Sequence, residues 1–214
     1  MQSFPNGGGG AIVVAIAERI IENKAYLSEI DGLIGDGDHG VNMAKGFGIA
    51  AERLRGGDAD LSAGFSTLGE VLMGEIGGSM GPLYGMTFTE FADALGSAER
   101  VDPVLFSRML RAGLEGVRSI GSAEVGDKTL IDAFVPAADA FDAAIAGGSS
   151  FAEALDAMAA AAERGRDSTI DLVARIGRAA RLGERSRGVL DAGATSCALI
   201  LATLASEAKS RLSA

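Results

Sequence analysis

Residues 31–42 read "DGLIGDGDHGVN" and hold three aspartates, the only histidine of the chain and four glycines. Gly37 separates Asp36 from Asp38, so both carboxylates can face one side of an extended loop, with Asp31 five residues back. Three carboxylates held together repel one another unless a cation neutralises them. Hard oxygen donors in that number suit Mg²⁺, which keeps waters and takes substrate phosphates as further ligands. A calcium EF-hand does not fit, because the twelfth position counted from Asp36 is Phe47 rather than a bidentate Glu. Zinc does not fit either, with His39 and the remote Cys197 as the only nitrogen and sulfur candidates. The competing reading is a solvated acidic turn. For His39, a supporting role behind a carboxylate or phosphate is preferred over that of catalytic base or phosphoryl carrier.

Three further stretches carry groups suited to ions or phosphates. "GGSMGPLYG" (77–85) combines glycines with Ser79 and runs into a helical segment, whose free N–H groups and dipole favour anions. It lacks the Walker arrangement of Lys and Ser/Thr, and a plain tight turn explains it as well. "GDKTLID" (126–132) brings Asp127, a candidate cap, and Lys128. In 175–196, Arg175, Arg178, Arg181 and Arg185 step by three, three and four, which on a helix gathers them on one side. Guanidinium forks match phosphate oxygens, although a solvated face paired with Glu184 and Asp171 is equally compatible. "DAGATS" (191–196) opens the last helix with small residues.

The elements that must position these groups read as helical. Phe106, Leu110, Leu114 and Val117 recur by four, four and three, with Arg108, Arg111, Glu115 and Arg118 on the complementary face. Leu130, Phe134, Ala138, Phe141 and Ile145 make a second stripe, with Asp132, Asp139 and Asp142 off it and Pro136 set to kink the helix or sit in its first turn. "SSFAE" (149–153) resembles a capping box. Glycine-rich loops divide the chain into helical segments at roughly 11–58 (split at the aspartate loop), 61–76, 87–96, 103–119, 129–147, 150–164, 168–181 and 193–212. Strand-like alternation and strand–helix–strand rhythm are missing, so one all-α domain over 1–214 is expected. In an up-and-down arrangement alternate loops share an end, which would let the four unusual loops meet.

Composition agrees. The 214 residues are 48% hydrophobic and 22% charged, enough for a sizeable core, and the scarcity of aromatics favours close-packed helices. A net charge of −10 argues against nucleic acid or an anionic membrane as partner. An anion must then be met by metal ions or a local basic cluster. Apolar runs such as "CALILATLA" fall far short of the roughly 18 residues of a spanning helix. One Cys permits no intrachain disulfide, and a cytoplasmic location is expected.

Taken together, "IGDGDHGVNMAKGF", "GGSMGPLYG", "GDKTLIDAFVPA" and "LGERSRGVLDAGATS" resemble, in order and spacing, the L subunit of the dihydroxyacetone kinase family. The resemblance implies a closed barrel of about eight antiparallel amphipathic helices with ADP or ATP at one end and two Mg²⁺ ions. Carried over by position, Asp31, Asp36 and Asp38 are the metal ligands. The nucleotide contacts are His39, Gly40, Val41, Asn42, Ser79, Met80, Gly121, Leu130, Arg178, Asp191, Ala192 and Gly193. No covalent catalytic residue is implied on this chain, and Arg178 is the candidate charge stabiliser. The resemblance also implies a separate K subunit that holds the short-chain ketose through its own histidine.

Three positions depart from the family pattern: Gly37 stands where Ala is frequent, Met80 where a small residue is common and Ala192 where Pro is frequent. None removes a ligand. Left open are the donor (ATP, or a phosphohistidine carrier, the M subunit), the ketose (dihydroxyacetone, erythrulose or another) and whether the chain forms a homodimer. A second class also stays open, a nucleotide-sensing module that docks on a transcription regulator without catalysis of its own.

Overall fold

The computed structural model describes residues 2–213. Among these lie nine α-helices: α1 (Gly10–Glu22), α2 (Lys24–Ile34), α3 (His39–Leu54), α4 (Leu61–Glu75), α5 (Met80–Leu95), α6 (Pro103–Ile120), α7 (Ile131–Ala146), α8 (Phe151–Ser168) and α9 (Ala192–Ser210). Two short 3₁₀ segments span Thr169–Asp171 and Ala179–Ser186. The strands β1 (Phe4–Pro5) and β2 (Arg100–Val101) pair antiparallel, Phe4 opposite Val101. None of the helices is long and apolar enough to cross a membrane.

Helix ends follow local chemistry. At α8 the Ser150 Oγ accepts the Glu153 N–H (3.2 Å) while Glu153 Oε2 accepts the Ser150 N–H (2.8 Å), a reciprocal capping box. Asp60, Asp102 and Asp191 cap α4, α6 and α9 through side-chain oxygens. The amphipathic stripes fall as their spacing requires: Phe106, Leu110, Leu114 and Val117 are buried, with Arg108, Glu115 and Arg118 exposed. All nine Phe side chains are at most 2% exposed, and their rings pack edge-on, stacked or tilted. One such group is Phe65, Phe88, Phe91 and Phe134; another is Phe4, Phe106, Phe141 and Phe151. Few aromatics therefore still supply a continuous core.

Packing runs from helix to helix around the molecule. α1 contacts α3, α3 contacts α4, and successive neighbours follow through α9, which returns to α1, while α2 lies against α3 and α9. Close approach depends on small residues. Pro136 lies inside α7, past its first turn, and leaves the Asp132 carbonyl without its helical N–H partner. Gly165 of α8 sits against that carbonyl, where a Cβ would collide with it.

The glycine run at 7–10 also acquires a place. Gly8 turns in the left-handed region, and Gly9 passes so close to Leu61 and the Asn6 carbonyl that a side chain would clash.

Three sequence expectations need correction. The 11–58 segment is three helices, with an extra break at Asn23. The helix expected at 87–96 starts at Met80, so only 76–79 of that glycine-rich stretch is loop. Most consequentially, 168–181 is no continuous α-helix: α8 ends at Ser168 and only short 3₁₀ segments follow. After Asp171 the chain is extended and then turns through a kinked 3₁₀ segment, because Gly177, Gly183 and Gly188 all take positive φ (76°, 54° and 89°). The arginines of this stretch therefore share no helix face.

Candidate functional site

The carboxylate cluster is built by the α2–α3 connection. α2 ends at Ile34, and the Gly35 N–H closes onto the Asp31 carbonyl (2.5 Å). Gly37, at φ 76°, reverses the chain in a conformation that costs an L side chain. Asp31 on the last turn of α2, Asp36 in the turn and Asp38 ahead of α3 then bring one oxygen each within 4.8 Å of one another. Asp38 makes no capping bond to α3, so its carboxylate stays available.

These carboxylates open onto a cavity of about 600 Å³. All four unusual loops reach it: Asp36 and Asp38; Gly77, Gly78 and Ser79; Gly121–Ala123 with Lys128–Leu130; and Ile176–Ala179 with Arg181 and Asp191. The first residues of four helices also stand in its wall: His39 of α3, Met80 of α5, Ile131 of α7 and Ala192 of α9. The N-cap residues of α3 and α5 make no side-chain cap, which leaves N–H groups without partners at the positive ends of these dipoles, whereas at α7 the Ile131 N–H donates to Thr129 Oγ1 (3.2 Å) and the Asp132 and Ala133 N–H groups to the Thr129 and Leu130 carbonyls. Opposite them, the ends of α2 and α6 have carbonyls already taken by the Gly35 and Gly121 N–H groups. A chain of net charge −10 thus keeps a local anion-attracting surface. Ile34, Leu83, Val117 and Leu130 supply an apolar part of the same wall.

His39 is buried at the start of α3. Its backbone N–H donates to Asp31 Oδ2 (3.3 Å) and its Nε2 lies 3.0 Å from Ser196 Oγ. Ser196 Oγ in turn lies 2.8 Å from Tyr84 Oη, and both hydroxyls reach the Gly193 carbonyl (3.1 Å each). Burial pulls the His39 pKa down to about 4, outweighing the Asp31 charge that raises it. The imidazole is neutral at pH 7 and held in one orientation. Burial likewise raises the Tyr84 phenol and the Cys197 thiol well above their usual ranges. Asp191, which accepts the Ala194 N–H (2.7 Å), is pushed up to about 7, chiefly by burial.

Arg178 pairs with Asp36 through Nη1, which also lies 3.9 Å from Asp38. A guanidinium at this point is an internal cation beside the carboxylate cluster. Arg181 lines the cavity, whereas Arg175 is drawn aside to Asp127 (3.6 Å). Asp127 caps its own turn by accepting the Glu124 N–H (2.9 Å).

Of the residues singled out from sequence, Asp31, Asp36, Asp38, His39, Asn42, Ser79, Met80, Gly121, Leu130, Arg178, Asp191, Ala192 and Gly193 all stand in the cavity wall. Gly40 and Val41 do not. Gly40 lies against the Lys24 carbonyl and Ser28, letting α3 cross α2 closely, and Val41 points outward, 47% exposed. Asp132, read as lying off the apolar stripe, is buried instead. Its oxygens accept the Gly126 N–H (2.6 Å) and Thr129 N–H (2.7 Å) and shape the turn that carries Lys128. The Thr-x-x-Asp spacing at 129–132 is the local signal for it. Ser196 and Tyr84 had no such signal, since the contact joins residues 112 apart.

Residues 33–206 match the DAK2 domain family. The chain is 40% identical over 185 residues to the protein of Escherichia coli strain K12 named PEP-dependent dihydroxyacetone kinase, ADP-binding subunit DhaL, covering 86% of this chain and 88% of that one. It is 39% identical over 184 residues to the ADP-binding subunit DhaL of PEP-dependent dihydroxyacetone kinase 1 from Listeria innocua, covering 86% and 87%. Among solved structures, the dihydroxyacetone kinase from C. freundii in complex with AMP-PNP and Mg²⁺ matches with a TM-score of 0.69 at 25% identity. That match takes in 92% of this chain and 33% of the kinase chain, so this chain spans about a third of it.

Proposed function

The chain belongs to the DAK2 domain family, and from that premise we propose that it is the nucleotide-binding subunit of a dihydroxyacetone-type kinase. On this reading 1–214 is one domain, and the unbroken circuit of helix contacts from α1 to α9 and back is a closed barrel with the nucleotide at one end. The observation that carries the proposal is the meeting of three carboxylates and the two uncapped N-termini of α3 and α5 around one cavity. Its volume is in the range of small-molecule sites.

Asp31, Asp36 and Asp38 fit Mg²⁺: all are hard oxygen donors, their reach is mutual, and a guanidinium already pairs with one of them. Two ions are proposed there, as the nucleotide brings further oxygens. When bound, Mg²⁺ would neutralise the phosphates and align them for in-line transfer. The residues of the chain supply the rest. The open N–H groups of α3 and α5 would receive phosphate oxygens. Neutral His39, fixed by Ser196 and Tyr84, would offer a hydrogen bond without adding charge. Leu83, Val117 and Leu130 would cover the base, and Arg178 would turn from Asp36 toward the transferring group.

The acceptor is proposed to be a short-chain ketose, dihydroxyacetone by default, held on a separate K subunit. The names of the relatives favour a tightly held ADP that is rephosphorylated by a phosphohistidine carrier, the M subunit. A single mixing experiment tests this. The chain, its K subunit and dihydroxyacetone are combined with either the phosphorylated carrier or ATP, and triose phosphate is measured. Product with the carrier is expected. Product with ATP alone would change the donor, and product with neither would sink the kinase reading in favour of a nucleotide sensor docked on a regulator.

A further inference from the structure

Between α8 and α9 the chain leaves the helical body and returns, and the loop 172–190 carries Arg178. Both ends of this loop meet at one side chain. Lys128 is 2% exposed, and its Nζ donates to the carbonyls of Thr169 (2.5 Å) and Leu172 (3.2 Å) at the entry and of Val189 (2.5 Å) at the exit. Further bonds tighten the same neck: Gly188 N–H to the Ile170 carbonyl (2.7 Å) and Asp191 N–H to Thr169 Oγ1 (3.0 Å). Lys128 is also the only non-glycine residue at positive φ (64°) among the described residues. Such backbone strain persists only where the surroundings hold it, here through Asp132 and the Gly126 and Thr129 N–H groups.

An ammonium has three donors, and three carbonyls occupy all of them, so none is left for a phosphate even though Lys128 borders the cavity. We propose that Lys128 is a positioning residue: it ties the neck of loop 172–190 and thereby sets where Arg178 stands relative to Asp36 and Asp38. The role in binding rests on the nucleotide reading above; the role in the loop does not.

Two readouts separate them. In hydrogen exchange on the unliganded chain, Lys128→Met should speed exchange of 172–190 about tenfold or more while α1 and α4 stay at wild-type rates. In calorimetry with Mg²⁺ and ADP, the same change should weaken binding about 10- to 100-fold, the usual scale for a supporting contact. In an Arg178→Ala background it should cost less than about threefold, because two residues acting through one another are not additive. Unchanged exchange in the loop, or an equal loss in both backgrounds, would overturn the proposal. If Lys128→Met does not fold, Lys128→Arg, which keeps a cation but moves its donors, takes its place in the cycle with the same two outcomes. Wild-type chain that binds no ADP would end the nucleotide reading and leave the exchange measurement to judge the loop.

Discussion

Replacing Asp36 with Ala should separate stability from binding, with opposite signs. In the unliganded chain the oxygens of Asp31, Asp36 and Asp38 lie within 4.8 Å of one another. Two unit charges at that distance repel by about 0.9 kcal/mol at the dielectric constant of water and about 3.5 kcal/mol at an effective value of 20. The side chains of Asp36 and Asp38 are 45% and 51% exposed, so the lower figure governs, for each of two pairs. Against this, the variant loses its pair with Arg178, which at such exposure is worth ~0–1 kcal/mol. The net expectation is an unliganded Asp36→Ala chain about 1–2 kcal/mol more stable than wild type. For a chain of this size that is a rise of about 2–8 °C in Tm. Binding should move the other way. One of three anionic ligands is gone, and the affinity for ADP in Mg²⁺ should fall at least 100-fold, about 2.8 kcal/mol. Thermal unfolding with and without Mg²⁺ and ADP, together with titration calorimetry and far-ultraviolet circular dichroism, reads all of this. Nucleotide affinity within threefold of wild type would refute the metal-cluster assignment. A large loss of unliganded stability would refute the electrostatic account of it.

Two buried groups should tilt the pH dependence of stability in opposite directions in the unliganded chain. His39 is depressed to about 4 when folded, so its contribution is full above about 6.5 and is lost as pH falls from there toward 4. Asp191 is raised to about 7, so its contribution is full below about 3.8 and is lost as pH rises toward 7. Relative to wild type, His39→Gln should therefore lose stability with rising pH between 4 and 6.5, and Asp191→Asn should gain it; denaturant titrations at several pH values would show the slopes. Gly40→Ala should destabilise by about 1–3 kcal/mol through its collision with the Lys24 carbonyl, while Val41→Ala stays within about 0.5 kcal/mol, both read by urea unfolding. Gly37→Ala, at φ 76°, should cost about 1 kcal/mol and also weaken Mg²⁺-dependent nucleotide binding in calorimetry, because the turn that aims Asp36 is strained.

Much of the site was legible because its chemistry is local. Asp31, Asp36 and Asp38 fall within eight residues, and the Gly–Asp alternation leaves the backbone little choice but a turn. The stripe through Phe106, Leu110, Leu114 and Val117 reads as a helix because burial on one face repeats with the helical period. The arginine periodicity at 175–185 misled for a related reason. Spacing of three and four is consistent with a helix but does not compel one, and Gly177 and Gly183 within the same window take positive φ. Those glycines break the helix, and the carbonyls flanking the window, at Thr169, Leu172 and Val189, are bound by Lys128 from more than 40 residues away. Gly40 and Val41 stand outside the cavity lining although they neighbour residues in it, because a helix turns by 100° per residue and adjacent side chains face different surroundings.

The sequence by itself determined which residue types are available, which stretches carry a helical stripe, and that three carboxylates and four glycines crowd one loop, since all of these depend on neighbours within a turn or two. Only the tertiary structure decided what those pieces do together. It brings the first turns of α3, α5, α7 and α9 to one cavity, beside the three clustered carboxylates. It buries His39 against Ser196 and Tyr84 and so keeps the imidazole neutral. It also spends Lys128 on carbonyls rather than phosphate. Burial and partner distance set each outcome, and both are properties of packing between segments far apart in the chain.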